Sequence, residues 1–511
     1  MTTQRDRFPF VRAGALSGAL AAVLLLAGCF GGPVTSTPTG ERVDAALQPY
    51  YDQVLLWVDC GDGAECSTVR APMDWAQPAA DTDIELAVTR HRATGDALGS
   101  LFVNPGGPGA SGYDLIHDSV DFAVSAALRE SFDIVGWDPR GVGRSTPVTC
   151  YDDEQLDDFI YGIAEAPDGT PEWVAEITAE AVAFGQACLD GTGPVLEFVD
   201  TESTVRDLDL LRAIVGDETL HYLGYSYGSD IGATYAELFP SKVGRMVLDG
   251  ATDSSLSAFD ESVTQAGGFE LALGNYLAAC PSLDECPFTG DVPADKAGIR
   301  ALMIELDETP IEAPDGRMLD AGVLDTALAM ALYSEDYWPE ANVMFSEVQQ
   351  GVTETAFYLV DYYNGRDVDG TYIDNSLEAF LAISCVDAPV VTDPAAIADY
   401  EARLTAAAPT TTFTSGLGDV LCAEWPFAYR GEAITAVTGA GAAPILVVST
   451  TGDPATPYEW GVALSQQLES ATLITHNGEG HTAYNSGVAC VDSAVDAYFV
   501  AGTVPEADPD C

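Results

Sequence analysis

The residue on which chemistry can be built is Ser226, at the centre of Gly224-Tyr225-Ser226-Tyr227-Gly228. The apolar run at 219–223 reads as a strand, and 233–239 continues as a helix that Pro240 ends. A hydroxyl nucleophile must stand on a strand-to-helix turn too tight for side chains, and Gly224 and Gly228 lack the Cβ that would clash there. Serine attacks poorly unless a neighbouring base takes its proton. Five histidines are available. His91 and His221 fall in strands, His117 in a helix before the nucleophile, and His476 at the end of an apolar strand, where a structural role is expected. His481 lies in the Gly-rich loop Asn477-Gly478-Glu479-Gly480-His481-Thr482, just past the final strand, and is the expected base. A third group must orient its ring and stabilise the charged imidazole. Asp453, in Thr451-Gly452-Asp453-Pro454-Ala455-Thr456-Pro457, follows the penultimate strand; Glu479 is the nearest rival but sits too close to His481 in sequence. With 80 acids in the chain, position rather than residue type makes this case.

The order Ser226, Asp453, His481 is that of the α/β-hydrolase fold. An oxyanion there needs two convergent backbone N–H donors. One is expected from Tyr227, directly after the nucleophile, and the other from Gly107, in the turn Asn104-Pro105-Gly106-Gly107-Pro108-Gly109. The same turn contains Gly107-x-Gly109-x-x-Gly112, formally a dinucleotide fingerprint. Pro108 removes an N–H where a phosphate would want a donor, so no nucleotide or other cofactor is expected.

These residues need a sheet to carry them. Apolar runs at 54–58, 84–91, 101–103, 132–137, 219–223, 245–250, 444–449 and 471–475 read as strands, and 203–215 as a helix with one apolar face. Strands separated by helical stretches argue for an α/β protein, a mostly parallel sheet flanked by helices. The pattern breaks between 252 and 430, where mainly helical segments form an inserted lid beside the sheet's carboxyl edge. The expected organisation is a signal peptide at 1–28, a lipidated cysteine and flexible tether at 29–48, a first core segment at 49–251, the lid at 252–430, and a second core segment at 431–511 with the acid and the base.

At 511 residues and 47% hydrophobic, the chain can bury a large core. Its formal charge of −60, from 80 acids against 20 Lys and Arg, repels nucleic acid and anionic headgroups. Arg5, Arg7 and Arg12 precede a short apolar run at 13–27, as in an export signal. Leu26-Ala27-Gly28-Cys29 resembles the lipobox of bacterial lipoproteins, which implies cleavage before Cys29 and a lipid on its sulfur. The remaining ten cysteines suit an oxidising compartment. Sequence leaves their connectivity open; short loops favour Cys60 with Cys66, Cys150 with Cys188, Cys280 with Cys286, Cys385 with Cys422, and Cys490 with Cys511. None has zinc-type spacing, so no metal site is expected.

Pro105-Gly106-Gly107-Pro108-Gly109 resembles the His-Gly-Gly-Pro-Gly turn of proline iminopeptidases, with proline in place of histidine. Together with Trp137-Asp138-Pro139-Arg140-Gly141-Val142-Gly143-Arg144-Ser145, the Ser226 elbow, Val247-Leu248-Asp249-Gly250 and Gly452-Asp453-Pro454-Ala455-Thr456-Pro457, the chain resembles the exported tripeptidyl aminopeptidases of actinobacteria from about Asp59 to Cys490. That resemblance implies an α/β-hydrolase with a helical lid, acting on peptide substrates with a free N-terminus through a serine acyl-enzyme. It carries the nucleophile onto Ser226, the acid onto Asp453 and the base onto His481. The helix after the elbow departs from the family's Gly-Thr-Tyr: here it opens Gly228-Ser229-Asp230, which brings a charge near the site and bears on substrate preference. The stretch 138–145 reads as a turn whose arginines pair locally. The expected protein is an exported, lipid-anchored serine peptidase on the outer face of the bacterial cytoplasmic membrane, touching that membrane only through its lipid, or else extracellular. An esterase or lipase would use the same machinery, and a surface binding lipoprotein on a retired hydrolase fold is the alternative from another class.

Overall fold

The computed structural model describes residues 34–167, 169–411, 417–431 and 436–511, so the expected signal peptide and Cys29 lie outside the described residues. Among the described residues twelve strands follow in chain order. They are β1 (Val34–Thr35), β2 (Leu56–Gly61), β3 (Ala64–Pro72), β4 (Asp83–His91), β5 (Ser100–Asn104) and β6 (Asp133–Trp137). Then come β7 (Leu220–Tyr225), β8 (Val243–Asp249), β9 (Ile311–Glu312), β10 (Met318–Leu319), β11 (Ile445–Gly452) and β12 (Ala471–Glu479). One ten-stranded sheet has the order β1-β2-β3-β4-β6-β5-β7-β8-β11-β12, and β9 pairs with β10 apart from it. Every pairing from β6 through β12 is parallel, while β1 to β4 form an antiparallel ribbon that joins β6 at one side. This is the expected mostly parallel sheet of an α/β-hydrolase.

The central strands are apolar on both faces, as a sheet covered by helices requires. Successive side chains point to opposite sides, so Phe102, Tyr222, Leu248 and Val447 pack with helices Thr201–Val215 and Tyr227–Leu238. Their neighbours Val103, Leu223, Val247 and Val448 pack with helices Gly112–Ala123 and Ala489–Ala501. The nucleophile strand is therefore held from both sides, and its carboxyl end can be aimed without slack.

Between β8 and β11 lie helices with cores of their own. One core gathers Leu273 and Tyr276 from Ala258–Ala279, Leu324 and Leu328 from Ala321–Leu332, Phe345 from Trp338–Val348, and Phe357 from Glu354–Asn364. A second joins Phe184 and Cys188 of Pro171–Thr192 to Ala382 and Ile383 of Ser376–Asp387 and to Trp425. The helix Pro171–Thr192 precedes the nucleophile in sequence, so the roof is built from two separate stretches of chain. Among the described residues no helix is long and apolar enough to cross a membrane.

All five short-loop cysteine pairs are disulfides: Cys60–Cys66, Cys150–Cys188, Cys280–Cys286, Cys385–Cys422 and Cys490–Cys511. Such a set marks an exported chain that folds in an oxidising compartment. The turn at 138–145 departs from the expected local pairing. Arg144 does bind Asp114, at 2.8 Å. Arg140, however, crosses to the helix Thr201–Val215 and grips both oxygens of Asp207, at 2.7 Å each, with both side chains fully buried.

Candidate active site

β7 ends at Tyr225, the helix begins at Tyr227, and Ser226 sits between them at φ 55° and ψ −127°. A side chain at positive φ costs about 1–3 kcal/mol and persists only where its surroundings enforce it. The enforcement is visible. Ser226 N–H donates to the Asp249 carbonyl at 2.9 Å, Ser229 N–H to the Ser226 carbonyl at 2.7 Å, and the Tyr222 phenol to the Gly228 carbonyl at 2.7 Å. A Cβ on Gly224 would stand 2.2 Å from the Gly228 oxygen, so the glycine is what closes the turn. The serine side chain is thereby raised at the carboxyl edge of the sheet.

Asp453 follows the last residue of β11 and is 2% exposed. Both its oxygens lie 2.9 Å from His481 Nδ1. They also accept the N–H groups of Ala455 and Thr456 at 2.9 and 2.8 Å, the Thr456 hydroxyl at 3.0 Å and the Thr482 N–H at 3.3 Å. His481 lies just beyond β12, with its Nε2 buried and without a hydrogen-bond partner among the described residues. Burial alone would lower the imidazole pKa, but the charge and hydrogen bond of Asp453 outweigh it and hold the value above the ordinary one. The structure thus pairs Asp453 with one ring nitrogen, while the opposite one, Nε2, makes no hydrogen bond to Ser226 Oγ or to any other group among the described residues.

Two residues that sequence reasoning left without a role join these parts. Thr456 Oγ1 touches Asp453 and stands 3.2 Å from His481 Nδ1, so it fixes the acid and borders the ring. Asp249, at the end of β8, gives its carbonyl to Ser226 N–H and its carboxylate to the N–H groups of Ala483 and Tyr484, at 3.1 and 2.7 Å. One residue therefore holds both the elbow and the histidine loop. Both lay inside quoted motifs; only the contacts, made with residues distant in sequence, reveal what they do.

The Gly-rich turn after β5 packs onto the elbow. Gly106, at φ 95°, spends its N–H on Asn104 Oδ1 at 2.9 Å, and a Cβ there would meet the Tyr225 oxygen at 2.6 Å and Tyr227 N at 2.9 Å. Gly107 comes next, and its N–H makes no hydrogen bond among the described residues. Tyr227 N–H is the first of its helix, one of the donors a helix cannot satisfy internally. Tyr227 N–H thus lies directly after the serine, and Gly107 follows the glycine whose backbone packs on the elbow. Gly106→Ala is expected to push the turn off the elbow and lower kcat about 100-fold, the scale of losing one oxyanion donor. Steady-state kinetics with circular dichroism to confirm folding would check it; an alanine variant of full activity would mean that the close approach has no catalytic consequence.

The roof closes over this edge at three places. Tyr333, at the end of Ala321–Leu332, accepts His481 N–H at 2.9 Å and turns its ring edge-on to the imidazole at 5.3 Å. Gln265 of Ala258–Ala279 donates to the Ala455 carbonyl at 2.7 Å. The first turn of Ser376–Asp387 lies on Gly109, where a Cβ would stand 2.3 Å from the Ser376 oxygen. Beside the elbow the roof and core bring carboxyl groups together. Burial pushes Asp387 up to about 8, although it accepts the Thr201 hydroxyl at 2.6 Å, and Thr201 also meets the Tyr227 phenol. Burial, reinforced by Asp230 and Asp253, raises Glu261 to about 7 while its side chain stays exposed to water. Burial also raises Asp230, which accepts the Ser254 hydroxyl at 2.9 Å.

Residues 411–511, which carry Asp453 and His481, match the family model described as TAP-like protein. Serine protease Hip1 of Mycobacterium tuberculosis is 37% identical over 96% of this chain and 96% of its own length. Carboxylesterase B of the same species is 38% identical over 88% of this chain and 86% of its own. Tripeptidyl aminopeptidase of Streptomyces lividans is 30% identical over 89% and 86%. With relatives of this similarity along nearly its whole length and the serine elbow of the fold in place, the chain belongs to the TAP-like family of α/β-hydrolases and is a serine hydrolase.

Proposed function

We propose that this protein is an exported, lipid-anchored serine peptidase that releases short peptides from free N-termini. His481 Nε2 takes the proton from Ser226 Oγ as the oxygen attacks the scissile carbonyl, while Asp453 holds the proton on Nδ1 and stabilises the imidazolium. The N–H groups of Tyr227 and Gly107 receive the oxyanion. The imidazolium then gives its proton to the leaving amine, and water repeats the cycle on the acyl-enzyme. Cys29 carries the lipid in this reading, tethering the enzyme to the outer face of the membrane. The observation that carries the proposal is the buried Asp453–His481 pair whose Nε2 remains unpartnered at the serine's edge of the sheet. The acids beside the elbow, Asp230 on its helix and Asp387 linked to Tyr227 through Thr201, support recognition of a positive α-amine, whose charge would favour their ionised forms. The relatives named serine protease and tripeptidyl aminopeptidase support peptide substrates.

The relative named carboxylesterase B gives a second reading, ester hydrolysis by the same groups. Two measurements separate the readings. A fluorophosphonate probe is expected to label the protein and to fail on Ser226→Ala; absence of labelling would make the chain a binding protein. Free peptide amides are expected to be cleaved and their N-acetylated forms at least 100-fold more slowly, since a lost charged partner in a desolvated pocket costs about 3 kcal/mol. Equal rates on both, or turnover of esters alone, would overturn the aminopeptidase reading.

A further inference from the structure

The helix Glu354–Asn364 buries Ala356, Phe357, Leu359 and Val360 in the roof and leaves three tyrosines outside. Tyr358, Tyr362 and Tyr363 are 56%, 59% and 46% exposed. Large aromatic rings grouped on a surface mark a place where something binds. This group is continuous with the catalytic edge. The Tyr363 ring lies 6.3 Å from that of Tyr333, and the Tyr333 ring 5.3 Å from the His481 imidazole. On the outer side Tyr362 meets Tyr337 at 6.0 Å.

The position of the row fixes what can use it. The imidazole must protonate the leaving amine, so the departing chain passes on the imidazole's side of the serine. We propose that this tyrosine row is the binding track for the leaving peptide, held extended, and that it selects aromatic or branched apolar side chains beyond the scissile bond. The inference rests on the peptidase reading and deepens it. Tyr333 and Tyr363 form one ring pair next to the imidazole, and Tyr337 and Tyr362 a second on the outer side, the two joined through the helix Glu354–Asn364. The phenol rings offer neutral, largely apolar faces, and the nearby Glu340 disfavours an acidic leaving chain. An open ester leaving group, without such length, would gain nothing from the track.

The test compares one tripeptide acyl part carried on three leaving groups: a methylamide, a Gly-Gly-Gly peptide and a Phe-Gly-Leu peptide. The intact enzyme is expected to favour Phe-Gly-Leu over Gly-Gly-Gly by about tenfold or more in kcat/KM, the scale of one to two aromatic contacts. In Tyr358→Ala/Tyr362→Ala the ratio is expected to fall towards one. Tyr362→Phe, which keeps the ring, is expected to keep it. Exposed positions tolerate such changes without unfolding. A native ratio near one, or an undiminished ratio in the double alanine variant, overturns the track while leaving the peptidase standing. Failure to cleave the methylamide and both peptides, with fluorophosphonate labelling intact, overturns the peptidase reading and the track with it.

Discussion

Asp453→Asn is expected to lower kcat by about 10⁴-fold with the fold intact, the scale seen when a relay loses its orienting carboxylate. The carboxylate now meets His481 Nδ1 with both oxygens at 2.9 Å, so that nitrogen carries the proton and Nε2 is the base. An asparagine amide turned toward Nδ1 would donate instead and move the proton to Nε2, where it blocks uptake from Ser226. The alternative flip also fails, because the N–H groups of Ala455, Thr456 and Thr482 already compete for the acceptor oxygens. The pH profile makes the prediction specific. Burial lowers the His481 pKa and Asp453 more than restores it, so the native base becomes neutral, and kcat/KM rises, above the ordinary imidazole range. Without the carboxylate, burial prevails and the acid limb should move to lower pH even as the plateau falls. A loss of less than tenfold, or a limb that stays put, would remove Asp453 from the relay.

The parts of this site that could be read from the chain are those tied to a strand end. Ser226, Asp453 and His481 each follow an apolar run, and the run reveals the address as well as the residue. Asp249 and Thr456 could not be assigned in the same way. Asp249 acts on backbone N–H groups 234 and 235 positions away, and Thr456 touches a ring 25 positions away, so neither signal is local. The cysteines paired as short loops favoured, with separations of 6 to 38 residues. The roof was only half legible. Helical content between β8 and β11 stands out, but periodicity names an apolar face without naming its partner. Hence the packing of Pro171–Thr192 against Ser376–Asp387, across the nucleophile's own segment, emerges only from the fold.

Arg140 shows the same limit and leads to the largest expected loss of stability. Its type and its turn suggest a local ion pair, yet the side chain is fully buried and every direction of its fork is answered. Nε and Nη2 bind the two Asp207 oxygens at 2.7 Å, Nη1 reaches the Met73 and Phe198 carbonyls at 2.9 and 3.0 Å, and Nη2 also meets Pro72 at 3.1 Å. Trp75 Nε1 adds a hydrogen bond to Asp207 at 3.0 Å. The end of β3, the turn after β6 and the helix Thr201–Val215 are thereby fastened at one point. Asp207→Ala would leave a guanidinium buried without countercharge, and is expected to destabilise the fold by about 3–5 kcal/mol. Replacing both partners, Arg140→Met with Asp207→Leu, should be much milder, because no charge then remains to desolvate. Urea unfolding with the disulfides intact would measure both, and a double-mutant cycle would give the coupling. A single variant within 1 kcal/mol of the native protein would show that the pair is dispensable. The effect should also reach the chemistry: Thr201, the first residue of that helix, binds Asp387 and the Tyr227 phenol. Loosening the helix therefore loosens the residue whose N–H is proposed to receive the oxyanion, and Asp207→Ala should lose kcat at urea concentrations well below its unfolding midpoint.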